Sequence, residues 1–246
     1  MERVKYIIAN WKMNGKNDSI KIVNLVAKHL KNKKHNKSKV IICPPYTLLS
    51  KCISETEVID FGGQDCHHSN KGAYAGSISA SMLKDVGCKY VIIGHSERRE
   101  YHNESSDELN EKINQAIKNK LVVIYCIGEK LNEINKKEII LEEQINSLPK
   151  EANESNLIIA YEPVWAIGTG KIPSTDDILN THLKIRFLLS KKIGPKQSEK
   201  ISILYGGSVN SSNSVKILNL KEVDGALVGG ASLIIKDFCK IIDSYI

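Results

Sequence analysis

Apolar residues fall along this chain in short, dense runs, separated by longer stretches with a helical period. The runs are Val4–Ala9, Val40–Cys43, Val58–Gly62, Tyr90–Gly94, Val122–Cys126, Leu157–Tyr161, Ile201–Tyr205 and Ala226–Val228. They are rich in valine and isoleucine and carry few polar interruptions. A strand with one wet face would alternate, so these read as strands of a parallel sheet covered on both faces. Between them, Leu131, Ile134, Glu138, Leu141, Ile145 and Leu148 recur at spacings of three and four, one helical stripe with a single polar break. Ser174-Thr175-Asp176-Asp177 supplies an N-cap and an acidic first turn to a helix that runs to Ile193, where Gly194-Pro195 stops it. Ser105-Ser106-Asp107-Glu108 opens another, running to about Asn119.

Strand–helix alternation repeated eight times in 246 residues predicts an α/β protein: one (β/α)8 barrel over 1–246, eight parallel strands with surrounding helices. A doubly wound open sheet is the competing topology. It would prefer a GxGxxG turn after the first strand, whereas Asn10-Trp11-Lys12-Met13-Asn14-Gly15 carries one glycine. No linker or low-complexity boundary interrupts the pattern.

Composition narrows the function classes. The hydrophobic share of 41% suits a packed core, and no apolar run approaches the roughly 18 residues of a membrane span. The start, MERVKYIIAN, is too short for a signal peptide, so a cytoplasmic location is expected, with Cys43, Cys52, Cys66, Cys88, Cys126 and Cys239 as reduced thiols. The net charge of +7 suits anionic partners, and much of it lies in Lys28–Lys39. That stretch contains no aromatic residue, which argues for a solvated basic face and against nucleic-acid binding.

Candidate chemistry follows from asking what lies just past each strand, since barrel active sites form at the C-terminal ends. Asn10 and Lys12 follow the first run, His95-Ser96-Glu97 the fourth, Glu162 the sixth, Gly206-Gly207-Ser208 the seventh and Gly229-Gly230 the eighth. A base, an imidazole, an ammonium and two glycine turns thus meet on one rim. Each glycine turn is expected to open a helical stretch, whose free N–H groups would bind phosphate. His95 precedes a short helical stretch, and a helix N-terminus disfavours imidazolium, so it is expected to stay neutral and donate. Pro163, Val164, Trp165, Ala166, Ile167, Gly168, Thr169, Gly170 and Lys171 read as a lid that excludes water. No metal site is expected. His67 and His68 are adjacent, and adjacent residues of a strand or helix do not share a face.

NWKMN at 10–14, GHSERR at 94–99, YEPVWAIGTGK at 161–171, YGGSV at 205–209 and DGALVGGASL at 224–233 resemble, in order, the signatures of the triosephosphate isomerase family. The resemblance covers essentially the whole chain. It implies a TIM barrel that interconverts dihydroxyacetone phosphate and glyceraldehyde 3-phosphate, with no cofactor, in glycolysis and gluconeogenesis and linked to pentose phosphate metabolism. It makes Glu162 the base, His95 the neutral electrophile and Lys12 the substrate-binding cation beside Asn10. Gly168, Ser208, Gly229 and Gly230 become phosphate donors, with Glu97, Ser96 and Cys126 in the layer behind. It implies a homodimer through loop Gln64–Ser81. Within that loop Ala75 stands where the family usually has Thr, Ser77 where it has an acidic residue, and Asp65 where Asn is common. Two other readings compete: another phosphate-sugar barrel enzyme, and a barrel that has lost catalysis and acts as a binding protein.

Overall fold

The computed structural model describes residues 3–33, 37–167 and 172–245. Eight parallel strands close into a barrel in sequence order: β1 (Tyr6–Asn10), β2 (Lys39–Cys43), β3 (Asp60–Gly63), β4 (Tyr90–Ile93), β5 (Val122–Ile127), β6 (Leu157–Tyr161), β7 (Ile203–Tyr205) and β8 (Gly225–Val228). Closure comes from β1 pairing with β8, Tyr6 opposite Gly225 and Ala9 opposite Val228. Around the barrel run α1 (Ile20–Lys31), α2 (Tyr46–Ser54), α3 (Ala80–Asp85), α4 (Ser96–Tyr101), α5 (Ser106–Lys118), α6 (Lys137–Asn146), α7 (Thr175–Ile193), α8 (Pro195–Ser198), α9 (Ser214–Leu218) and α10 (Ile235–Ile242). The barrel expected from the sequence is therefore the fold found.

The near-continuous apolar runs have their explanation in two cores. Side chains alternate across a strand, so each run feeds both. Ile8, Ile41, Cys43, Ile92, Ile124, Cys126, Ile158, Ala160, Leu204 and Leu227 fill the lumen. Their neighbours Ile7, Ile42, Val91, Val123, Ile159, Ile203 and Val228 pack outward under the helices. No strand keeps a wet face, so none alternates.

The same parity predicts what caps the lumen. Two residues past the last inward side chains of β1, β4, β5, β6, β7 and β8 come Asn10, Gly94, Gly128, Glu162, Gly206 and Gly229. Two of these six carry polar side chains and four are glycines, so the top layer is open above Asn10 and Glu162.

Three details differ from the sequence expectation. The strands β1, β3 and β7 begin two residues later than their apolar runs, and Val4 and Val58 are exposed. The stripe from Leu131 to Leu148 is not one helix: Leu131–Lys136 is a 3-10 helix, α6 follows, and Leu148 lies beyond its end. Three residues per turn carry Leu131 and Ile134 to the same exposed side, away from buried Leu141 and Ile145. The third concerns Gly206-Gly207, which does not open a helix, because α9 begins only at Ser214. Gly229-Gly230 does lead into one, a 3-10 turn over Gly230–Leu233.

The helices α7 and α5 match their expected signals. The Ser174 hydroxyl accepts from the Asp177 amide while Asp177 reaches back to the Ser174 N–H, a reciprocal cap. Gly194 ends α7 at φ 91°, where a side chain would be strained. Ser105 caps α5 through the Glu108 amide.

Candidate active site

Glu162 follows the last residue of β6 and is buried at 2% exposure. Its Oε1 lies 3.1 Å from His95 Nε2, and its Oε2 accepts the Ser96 N–H at 2.9 Å. Its position depends on glycine. A Cβ on Gly206 would lie 2.8 Å from Glu162 Cγ, and one on Gly128 would lie 1.7 Å from the Glu162 carbonyl oxygen. Neither position tolerates a side chain without moving the carboxylate.

His95 is the N-cap residue of α4. Gly94 before it has φ 73°, a turn that aims the imidazole across the barrel mouth. His95 Nδ1 accepts the Glu97 backbone N–H at 3.2 Å. A nitrogen that accepts carries no proton, so the ring proton sits on Nε2, the atom facing Glu162.

Lys12 adopts φ 53°, a left-handed conformation uncommon outside glycine. Its N–H is held by Asn10 Oδ1 at 3.0 Å, and its carbonyl accepts from Gln64 Nε2 at 2.9 Å. These bonds hold the strained backbone in place. The ammonium lies 2.5 Å from Glu97 Oε1 and passes beside Gly229.

Asn10, Lys12, His95, Glu162, Ser208, Gly229 and Gly230 share one cavity of about 280 Å³ with Ile167, Gly206 and Gly207. A Cβ on Gly230 would meet nothing within 4 Å, so the space beside its α-carbon is open. Ser208 Oγ donates to the Ala166 carbonyl at 2.7 Å, tying the β7 turn to the segment after Glu162. Cys126 lies beneath the site, fully buried. Burial, and next the Glu162 carboxylate, push its thiol well above the ordinary range, which keeps it protonated and unreactive.

Of the lid residues, Pro163–Ile167 are described, with Val164–Ala166 forming a 3-10 turn. Gly168, expected from the sequence to donate to a phosphate, and Thr169, Gly170 and Lys171 lie outside the described residues.

Sequence reasoning missed three supporting residues. Gln64 bridges the Lys12 and Cys43 carbonyls, both distances 2.9 Å. Arg99 ties β4 to β5 through the Gly94 and Cys126 carbonyls. Glu129, fully buried, accepts from Tyr161 Oη at 3.1 Å and Trp165 Nε1 at 3.0 Å. Burial raises its carboxyl above the usual carboxylate range. The signal for Glu129 was its place just past β5, one residue beyond Gly128.

His67 and His68 do share a side, contrary to expectation. Their ring centroids are 4.1 Å apart, with Tyr74 4.0 Å from His67. His67 makes an isolated bridge to Ser79 and His68 begins the bend after it, so the pair lies outside any regular strand or helix and the alternation rule does not apply. Among the described residues no group of three or more His, Cys, Asp or Glu has metal-site geometry, and no helix is long and apolar enough to cross a membrane.

Fold and rim together define a (β/α)8-barrel enzyme whose rim gathers a carboxylate, an imidazole, an ammonium and two glycine turns around one cavity. Residues 5–245 match the family model for triosephosphate isomerase. The chain is 42% identical to the triosephosphate isomerase of Alkaliphilus oremlandii, over 98% of this chain and 99% of that one. It is 43% identical to that of Mesorhizobium japonicum, over 97% and 95%. The crystal structure of triosephosphate isomerase from Bartonella henselae superposes with a TM-score of 0.90 at 40% identity, covering 98% of each chain. The chain belongs to the triosephosphate isomerase family.

Proposed function

We propose that this chain, as one catalytic domain, interconverts dihydroxyacetone phosphate and D-glyceraldehyde 3-phosphate through an enediolate, in cytoplasmic glycolysis and gluconeogenesis. The observation that carries the reading is the meeting of the Glu162 carboxylate, the His95 Nε2–H and the Lys12 ammonium in one small cavity that ends in two glycine turns.

Proton transfer beside a carbonyl needs a base at the carbon and donors at the oxygens. Glu162 takes the proton from one carbon and returns it to the next. The neutral His95 donates from Nε2 to the carbonyl oxygens, and Lys12 offsets the enediolate charge. In the state described, Glu162 is held by His95 and Ser96, so it exchanges those partners for the substrate carbon. Ser208 likewise releases the Ala166 carbonyl to serve the phosphate, together with the amides of Gly229 and Gly230 and that of Gly168. Such a grip fixes the reacting carbons against the base, and closure of 163–171 excludes water. Lys12, His95 and Glu162 meet in one cavity, which argues against the non-catalytic alternative.

A homodimer through Gln64–Ser81 is part of the proposal. Residues 70–77 are all exposed, Tyr74 among them, and Met13, Tyr46, Met82, Val86 and Tyr101 are further exposed apolar side chains. Exposed apolar surface of this kind suits a partner.

The test is turnover of glyceraldehyde 3-phosphate by the purified chain and by Glu162→Gln. The variant is expected to lose roughly 10²–10⁴-fold or more in kcat, the range that positioned acid–base groups supply. A folded wild type with no turnover, or a variant with unchanged turnover, would overturn the reading.

A further inference from the structure

The basic stretch singled out in the sequence has no part in the site above. Its last members, Lys37 and Lys39, lie just before and at the start of β2, at the end of the barrel opposite Glu162. There they line a cleft of about 740 Å³ with Arg3, Lys5, Lys221 and Tyr245. Among the described residues no aspartate or glutamate lines it.

The five cations are not equivalent. Arg3 and Lys5, together with Arg186 behind them, are matched by three carboxylates. Arg3 Nε donates to Asp224 at 2.9 Å and Nη2 to Glu222 at 3.1 Å, with Glu199 at 3.8 Å. Lys5 Nζ meets Asp224 at 3.0 Å, and Arg186 lies against Asp224 and Glu222. Lys37, Lys39 and Lys221 make no ion pair among the described residues, and all three are exposed. Among the described residues the cleft thus carries about three uncompensated positive charges, contributed by two separate segments of chain. Val4, Leu220 and Tyr245 add an apolar wall. The Tyr245 hydroxyl is without a hydrogen-bond partner among the described residues.

We propose that this cleft binds an oligophosphate, a small anion bearing two or more linked phosphates. A single phosphate offers one anionic group to three lysines, whereas a phosphate chain offers one to each. The volume lies within the ordinary range of small-molecule sites. Two sources share this chemistry: a nucleoside triphosphate, whose base would use the apolar wall, and an inorganic phosphate chain, which would not.

The experiment is calorimetric titration of the purified chain with inorganic tripolyphosphate and, separately, with ATP. Both are run with dihydroxyacetone phosphate saturating the barrel mouth, so that a phosphate binding there is not counted. One tripolyphosphate per chain is expected, with affinity falling steeply as salt rises. Lys37→Gln/Lys39→Gln/Lys221→Gln should weaken it by about tenfold or more, since each exposed charge pair contributes a factor of roughly two to five. The same variant should keep wild-type kcat/KM, which also reports that it is folded. A control of equal charge loss elsewhere, Lys118→Gln/Lys150→Gln/Lys196→Gln, should bind as the wild type does. ATP binding more tightly than tripolyphosphate identifies the nucleotide as the source; equal affinity identifies the inorganic chain. Absence of saturable binding, competition by dihydroxyacetone phosphate, or equal loss in both triple variants would overturn the proposal.

Discussion

Asp65 is a residue at which burial and charge pull in opposite directions. Burial pushes its carboxyl up to about 6, against the opposing pull of Lys112 at 3.1 Å and Arg98 at 3.0 Å, and Glu104 raises it further. Glu104 and Glu108 already balance the two cations, so Asp65 is the third carboxylate of the cluster. Because its folded value lies above the unfolded one of 3.8, the folded chain binds the extra proton between about pH 4 and 6. Its contribution to stability is therefore fully present below that window and is lost as pH rises through it. Asp65→Asn removes this dependence. Its stability relative to the wild type is expected to grow by about 1.4 kcal/mol per pH unit across the window and then level off. Denaturant titrations of both chains at pH 4, 5, 6 and 8 check it; a difference constant with pH contradicts it. The comparison needs the pair, because buried His182, lowered to about 4 by desolvation, acts with the opposite sign over the same range.

At the scale of elements, the site depends on how strands end. The Gly128 amide and carbonyl are held by the Gln144 side chain from α6, at 2.8 and 3.0 Å. This clamp presses Gly128 against the Glu162 backbone. Gly128→Ala should push β5 and β6 apart at the rim and shift the carboxylate, costing about 10²-fold in kcat/KM for a displacement near 1 Å. Gln144→Ala, which loosens the clamp without a clash, should give a smaller loss. Steady-state assays on both variants test the order, and a Gly128→Ala enzyme with native kcat/KM would remove the packing argument. The caps of α5 and α7 were legible in sequence because their signals are local, a serine and an acidic residue three positions on. The break at Lys136 was not legible. A spacing of three and four fits one helix as well as a 3-10 turn joined to an α-helix, and only packing against β5 and α7 selects between them.

For the whole molecule, Ala75 sets the expected strength of the proposed dimer. It is exposed at the tip of loop 64–81 and carries no hydroxyl. Ala75→Thr should restore one intersubunit hydrogen bond per protomer, two by symmetry, each worth about 0.5–1.5 kcal/mol. The dimer Kd should then fall roughly five- to 150-fold. Analytical ultracentrifugation of both chains measures this, and equal dissociation constants would refute it. Net charge belongs to the same scale. As a total it says little, but the fold gathers Lys37, Lys39 and Lys221 around one cleft.

The architecture was legible in the sequence itself, since eight double-faced apolar runs alternating with helical stretches, with no GxGxxG turn after the first, favour a closed parallel barrel over the open sheet that competes with it. The candidate residues could be read there too, because barrel chemistry sits where strands end and the motifs there are contiguous. Tertiary structure alone decided how those residues meet. The proton position on His95 is set locally by the Glu97 amide, but the facing of its Nε2 toward Glu162, the bond from Gln64 in the loop after β3 to the Lys12 carbonyl, and the glycines past β5 and β7 that flank Glu162 all join segments distant in sequence. Periodicity within one segment carries no information about its neighbour across the barrel.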